Sequence, residues 1–203
     1  MRLERLPNND YRALGLRPGA ILPDFVLEDA WLLPVDGQAG DYDALRALIG
    51  KLDRIPQRGV VGWLFRLRDF LGRSLGWDRA VNSLPIPGCI ETSLADRLPP
   101  GERSTEPPSE GSLPFRIVYD GQRDRLLELS NATVHAALHI AWIERGAHHR
   151  AIMAVFVKYR GLVGRAYMAA ITPFRRYIVY PTLFGRLGRA WQRRRDSGRL
   201  RHP

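Results

Sequence analysis

The sequence predicts an α+β fold in which one curved antiparallel sheet wraps around a long C-terminal helix. Three observations lead there. Residues 113–160 carry apolar side chains with period two, broken by turn signals, which is the pattern of consecutive antiparallel strands. Directly after them, Val163, Tyr167, Ala170, Phe174 and Ile178 recur at helical spacing within one apolar face. Ahead of them, one strand-like run is followed by two segments of helical pattern.

Residues 1–20 contain Pro7, Gly15, Pro18 and Gly19 and read as an irregular lead-in. Phe25, Leu27, Trp31 and Leu33 suggest a strand over 21–33, with a bulge at Glu28 and Asp29. Pro34 and the 36–40 stretch end it. A helix over 41–52 opens with Asp41 and Asp43 in its first turn, where acids suit the positive end of the helix dipole, and buries Leu45, Leu48, Ile49 and Leu52. Pro56 and Gly59 break it. A second helix, 60 to about 75, turns Val61, Leu64, Phe65, Leu67, Leu71 and Leu75 inward, with Gly76 placed as C-cap. Residues 93–112 carry four prolines and several serines and acids, and read as a mobile insertion.

From Leu113 the strands follow: 115–119, a turn at Asp120 and Gly121, 125–130, 134–144, a turn at 146–149, and 151–160. In 134–144, Val134, Ala136, Leu138, Ile140 and Trp142 share one face and His135, Ala137, His139, Ala141 and Ile143 the other. Both faces are mostly apolar, so both are covered, one of them by helix. Pro173 and Pro181 each remove a backbone donor from the final helix and should kink or divide it. The organisation expected is a lead-in at 1–20, one domain at 21–190 and a disordered basic tail at 191–203.

The hydrophobic content of 45% supports a real core, and one cysteine, Cys89, excludes an intramolecular disulfide or a multi-cysteine metal site. The first residues lack the apolar run of a signal peptide, and no window is long and apolar enough to span a bilayer. This points to a cytoplasmic protein, membrane-peripheral if its basic end meets lipid. The net charge of +10 is concentrated: from Lys158 onward the chain is +11, and the rest is −1. Arg186, Arg189, Arg193, Arg194 and Arg195 form a cluster beyond Pro181, suited to an anionic membrane surface or an acidic partner. No phosphate loop or zinc-finger pattern occurs, and no specific nucleic-acid partner or cofactor is expected.

His135 and His139 are four residues apart, which on a strand separates them by about 13 Å, too far to share a metal. No metal site is expected. Histidines satisfied by neighbouring groups are the commoner outcome; two polar contacts in a cavity wall are the sharper one. Because Ala137 and Ala141 leave volume beside them, this face is expected to look toward a cavity under the helix bearing Tyr167 and Phe174. Trp63 and Phe70 from the second helix would complete the wall. Cys89, Ser83 and Ser130 lack the surroundings of a nucleophile.

The order of elements resembles the START-like, helix-grip superfamily, also called SRPBCC. Three stretches are similar, within it, to the bacterial domain-of-unknown-function family 2867: WLFRLRDFL at 63–71 with LGW at 75–77, VHAALHI at 134–140, and GRAYMAAITPFRRYIV at 164–179. Together they cover about residues 22–190. The resemblance implies a helix-grip fold and the holding of a small apolar or lipid-like ligand between sheet and helix, without catalysis. Two alternatives stand beside it. One is an enzyme of cyclase or hydrolase type on the same fold, with His135, His139 and Glu128 as its polar groups. The other is a peripheral membrane or interaction module acting through the basic helix, whose apolar stripe beside arginines suits anionic lipid.

Overall fold

Six strands form one curved antiparallel sheet in the computed structural model, which describes residues 3–52, 92–105, 115–130 and 133–199. They are β1 (Glu4–Leu6), β2 (Val26–Gly37), β3 (Arg116–Asp120), β4 (Asp124–Ser130), β5 (Val134–Arg145) and β6 (His148–Tyr159). The order across the sheet is β1-β2-β6-β5-β4-β3. Strands β3 to β6 form a meander joined by short turns, one of them closed by Gly146 in the left-handed region that glycine favours. β6 then pairs with β2, closing the first long strand against the last.

The helices are α1 (Asn8–Ala13), α2 (Pro18–Ile21), α3 (Tyr42–Leu52), α4 (Gly161–Phe174) and α5 (Tyr180–Arg199). Arg175–Val179 between the last two is a π-turn, in which the Tyr180 N–H donates to the Arg175 carbonyl. Pro181 has no N–H to offer the ladder, and the C-terminal helix divides at the turn just ahead of it, while Pro173 lies inside α4 without breaking it.

In β2, Leu27 pairs with Phe156 and Asp29 with Val155, so Glu28 is the extra residue of a bulge. The bulge turns Asp29, Trp31, Leu33 and Val35 toward one side of the sheet and leaves Leu27, Ala30 and Leu32 on the other. The strand continues beyond Pro34 to Gly37, with a second irregularity between Leu32 and Asp36 where the missing proline donor is tolerated.

Each face has its own core. On one, α3 and α5 bring Tyr42, Leu45, Tyr180, Phe184, Leu187 and Trp191 onto Trp31, Ile140, Trp142 and Met153. On the other, α1, α2 and the 94–98 turn cover Ala137, Ala141, Ile152 and Phe156 with Tyr11, Ile21, Leu22, Leu94 and Leu98.

That second layer corrects two expectations. Residues 1–20 are not an irregular lead-in: β1 pairs with β2, and Leu6 and Tyr11 are buried. Among the described residues of the expected insertion, 93–105 is not loose either. The Ser93 hydroxyl caps a short 3-10 turn by accepting from the Ala95 N–H, and Leu94, Ala95 and Leu98 are buried. Sparse apolar residues between prolines suffice here because each one fills a place on a sheet face that no long helix covers. The tail is corrected as well, since α5 runs to Arg199 and Trp191 is fully buried. The expected helix at 60–75, with Trp63, Phe70 and also Cys89, lies outside the described residues.

α4 meets the sheet one residue out of the expected phase. Gly164 and Met168 are its buried residues, while Val163 is 55% exposed. A Cβ on Gly164 would stand 2.1 Å from the Thr133 carbonyl oxygen. The helix therefore rolls onto its glycine, where backbone meets backbone, and the larger side chains at Val163 and Leu162 are turned outward. Tyr167, Phe174 and Ile178 end half-buried.

Candidate functional site

Between the sheet and its N-terminal layer lies a polar stripe built by strand register. Asp124 and Glu128 are four apart on β4, and His135 and His139 four apart on β5. The register sets each carboxylate diagonally across from one imidazole. His135 Nε2 is 3.0 Å from a Glu128 oxygen, and His139 Nε2 is 3.1 Å from Asp124. Glu128 also accepts from the Ser93 hydroxyl and from the Leu94 N–H at 2.9 Å. Tyr11 closes the other end of His139, its hydroxyl 2.7 Å from Nδ1, and the Tyr119 hydroxyl donates to Asp124 at 2.6 Å.

The network fixes the protonation of its members. Burial lowers the His139 pKa, so the ring is neutral, donating from Nε2 to Asp124 and accepting at Nδ1 from Tyr11. Burial alone would raise Asp124 and Glu128. Hydrogen bonds from His139 and Tyr119 to the first, and from His135, Ser93 and Leu94 to the second, outweigh it and hold both carboxyls below their ordinary range. In a nucleophilic triad the imidazole stands between hydroxyl and carboxylate. Here Ser93 and His135 both bind the same carboxylate, and all three are buried, so the arrangement fastens the layer and activates no nucleophile.

A pH dependence follows with a definite sign. The folded pKa of His139 lies below its ordinary 6.5, so below that pH the unfolded chain binds a proton that the folded chain refuses. This contribution to stability is complete above about pH 6.5 and is lost as the pH falls toward the folded value. Tm should therefore drop as the pH falls below about 6.5, and His139→Gln, which keeps a donor for Asp124 and an acceptor for Tyr11, should flatten the profile. Thermal unfolding followed by circular dichroism checks it; parallel profiles would remove His139 as the cause.

The cavity was expected between the histidine face and the C-terminal helix, but that helix lies on the opposite face. Along α5 that face is packed with aromatic rings. Trp31 meets Tyr180 and Phe184 edge-on at 5.5 and 6.3 Å, Tyr180 and Phe184 stack at 5.4 Å, and Trp142 and Trp191 lie 6.0 Å apart. Where α4 takes over, Asp29, fully buried, accepts from Arg175 at 2.8 Å and from the Tyr180 hydroxyl at 3.1 Å, with Arg176 at 3.6 Å. The bulge aims the carboxylate and the π-turn aims the guanidiniums, so the two irregularities of the backbone meet in one ion cluster.

Outside, α4 and the π-turn carry an apolar stripe. Leu162 is 81% exposed, Val163 55% and Tyr177 80%, and Ala166, Ala169, Ala170 and Pro173 are exposed between them. Single exposed apolar residues are ordinary, whereas a row along one helix is not. No carboxylate occurs between Glu144 and Asp196, a stretch with twelve Lys and Arg. Beside the stripe, a groove of about 510 Å³ opens between the end of β6, the start of β2 and the first turn of α4. A second, of about 530 Å³, runs between Pro34 and the α5 side chains Arg189 and Arg193.

The expected pocket wall is therefore split. His135, Ala137 and His139 face the N-terminal layer, while Tyr167 and Phe174 sit on the helix across the sheet from them. The alanines leave room not for a ligand but for Tyr11 and Phe25, which pack against His139 and His135. Of the arginine cluster, Arg194 pairs with Asp41 and Arg195 with Asp36; Arg189 and Arg193 are exposed and Arg186 is half-buried. Sequence reasoning missed Asp29, Tyr11 and Asp124. Only the apolar neighbours of Asp29 on a strand signalled a buried charge needing a partner.

Among the described residues, no group of three or more His, Cys, Asp or Glu is placed to hold a metal ion, and no helix is long and apolar enough to cross a membrane. No curated protein and no solved structure matches the chain. The family described as "protein of unknown function (DUF2867)" matches residues 21–182, from before β2 into the start of α5, and so spans both irregularities and both histidines. The chain belongs to the DUF2867 family.

Proposed function

We propose that the protein docks on anionic lipid surfaces through α4 and the π-turn. The observation that carries this is the exposed row of Leu162, Val163 and Tyr177 in a stretch of chain without a carboxylate. A helix lying in the headgroup region needs an apolar side to bury and cations to meet the lipid charge, each cation contributing about 1 kcal/mol near an anionic surface. Arg165 on α4 and the arginines of α5 supply that field. The packing of α5 against Trp31 and Trp142 gives the arm a fixed base, so that α4 meets the surface without unfolding.

Vesicle sedimentation tests the reading. Vesicles containing phosphatidylserine should pull the protein down at low salt, and pure phosphatidylcholine vesicles should not. The double variant L162E/V163E should lose sedimentation while keeping its Tm. Undiminished sedimentation of this variant would reject docking by α4. A large loss of Tm would do the same, because it would mean that the row is covered within the chain or by a second copy.

The fold supports a helix-grip assignment as well. The first long strand lies beside the last in a single antiparallel sheet, and the C-terminal helix crosses one face. The filled aromatic layer under α5 does not favour a ligand there, and a lipid-like ligand is better accommodated at the open end of the sheet.

A further inference from the structure

We infer that Glu28 makes the docking pH-dependent: its carboxylate opposes attachment to an anionic surface when charged and permits it when protonated. The inference rests on the docking reading above and names its regulation. Although no acid occurs in the chain between Glu144 and Asp196, the bulge of β2 brings two of them, Glu28 and Asp29, beneath the π-turn. Asp29 is fully buried and is held by Arg175, by Arg176 and by the Tyr180 hydroxyl. Glu28 is half-buried and forms no ion pair among the described residues; its carboxylate accepts a hydrogen bond from the Tyr159 hydroxyl at the end of β6.

The charges around Glu28 decide the sign. Arg175 and Arg176 face both acids, and two guanidiniums against two carboxylates cancel. When Glu28 takes a proton, Asp29 alone remains, and one positive charge is left uncancelled in the turn that carries the exposed Tyr177. The neighbouring groups do not titrate with it. Burial pushes the Tyr180 hydroxyl up, so it stays neutral. On the other side of Tyr159, hydrogen bonds from Arg97 and Lys158 hold the Asp24 carboxyl well below its ordinary range, so it stays charged, and Arg165 of α4 stands 6.0 Å from the Tyr159 ring centroid. Burial raises the Glu28 carboxyl above its ordinary 4.5 against the pull of Arg175, and Asp29 pushes it the same way as burial. Glu28 therefore takes up its proton at a pH where exposed carboxylates are still charged.

Sedimentation with phosphatidylglycerol vesicles, which keep their charge over this range, compares the wild type with Glu28→Gln at about pH 7.5 and about pH 5. The variant keeps an acceptor for Tyr159 and imitates the protonated acid, so its Tm at the higher pH should not fall below that of the wild type. At the higher pH it should bind about fivefold more tightly, the effect of one charge near an anionic surface. At the lower pH the gap should narrow, because the wild type has taken up its proton; histidines that protonate on the way strengthen both proteins alike and leave the gap as it is. Carbon-13 resonances of the Glu28 carboxyl, followed without vesicles, should titrate above 4.5. Equal sedimentation of the two proteins at the higher pH, a gap that does not narrow, or a Glu28 carboxyl that titrates at its ordinary value would overturn the inference and leave docking standing. Absence of sedimentation for both proteins at either pH would remove docking and its regulation together.

Discussion

Replacing Trp191 by alanine is expected to lower the unfolding free energy by about 3–5 kcal/mol and Tm by roughly 6–20 °C. Among the described residues Trp191 is the largest fully buried side chain, although it stands at position 191 of 203. Its ring lies against Trp142 and its Nε1–H donates to the Asp36 carbonyl at 2.9 Å. Trp142 donates in the same way to the Gln38 carbonyl at 2.9 Å. The two indoles thus satisfy one carbonyl near the end of β2 and one just beyond it. Removing Trp191 opens a cavity and strands one of those carbonyls. A chain ending at residue 190 should behave alike. Thermal unfolding measures both, and an unchanged Tm for the truncated chain would return residues beyond 190 to the status of a dispensable tail.

Glu128→Ala is expected to cost about 3–5 kcal/mol, because it removes the one acceptor shared by three buried donors. The Ser93 hydroxyl, the Leu94 N–H and His135 would each lose the bond to this carboxylate. Two of the three belong to the 93–98 segment, so its attachment should weaken more than the sheet. Limited proteolysis should cut near residues 93–105 in Glu128→Ala under conditions that leave the wild type intact, while Glu128→Gln, which keeps an acceptor oxygen, should show less of both effects. Equal protease resistance of Glu128→Ala and wild type would show that the segment is held by Leu94 and Leu98 alone.

The meander was legible because each strand writes its period-two pattern locally; 134–144 assigns its two faces without any knowledge of what covers them. Which face the helix takes was not legible. It is decided by the contact of Gly164 with the Thr133 carbonyl and by the bulge at Glu28, and a glycine in an apolar helical run reads as a weak point rather than as the point of contact. The alternation of small and large residues on β5 therefore suggested room for a ligand where Tyr11 and Phe25 arrive from far away in the sequence. The histidines were visible as a pair. Their carboxylates were not, since a diagonal neighbour exists only once the β4–β5 register is set. The N-terminal layer escaped notice because its elements are too short to show any period.

An α-helix advances about 100° per residue. Along an unbroken helix Tyr180, Phe184, Leu187 and Trp191 would stand about 100–160° around the axis from Met168, and a straight C-terminal helix could not lay both halves on the same sheet. The π-turn at Arg175–Val179 absorbs one residue, which brings all four to within about 60° of Met168. It acts as a phase corrector between two rotors. The number of residues between Phe174 and Tyr180 is then a stricter constraint than their identity: one fewer would turn the aromatic side of α5 off the sheet or roll Leu162 and Val163 inward, so that the anchoring of one half and the exposure of the other are settled by a single added residue.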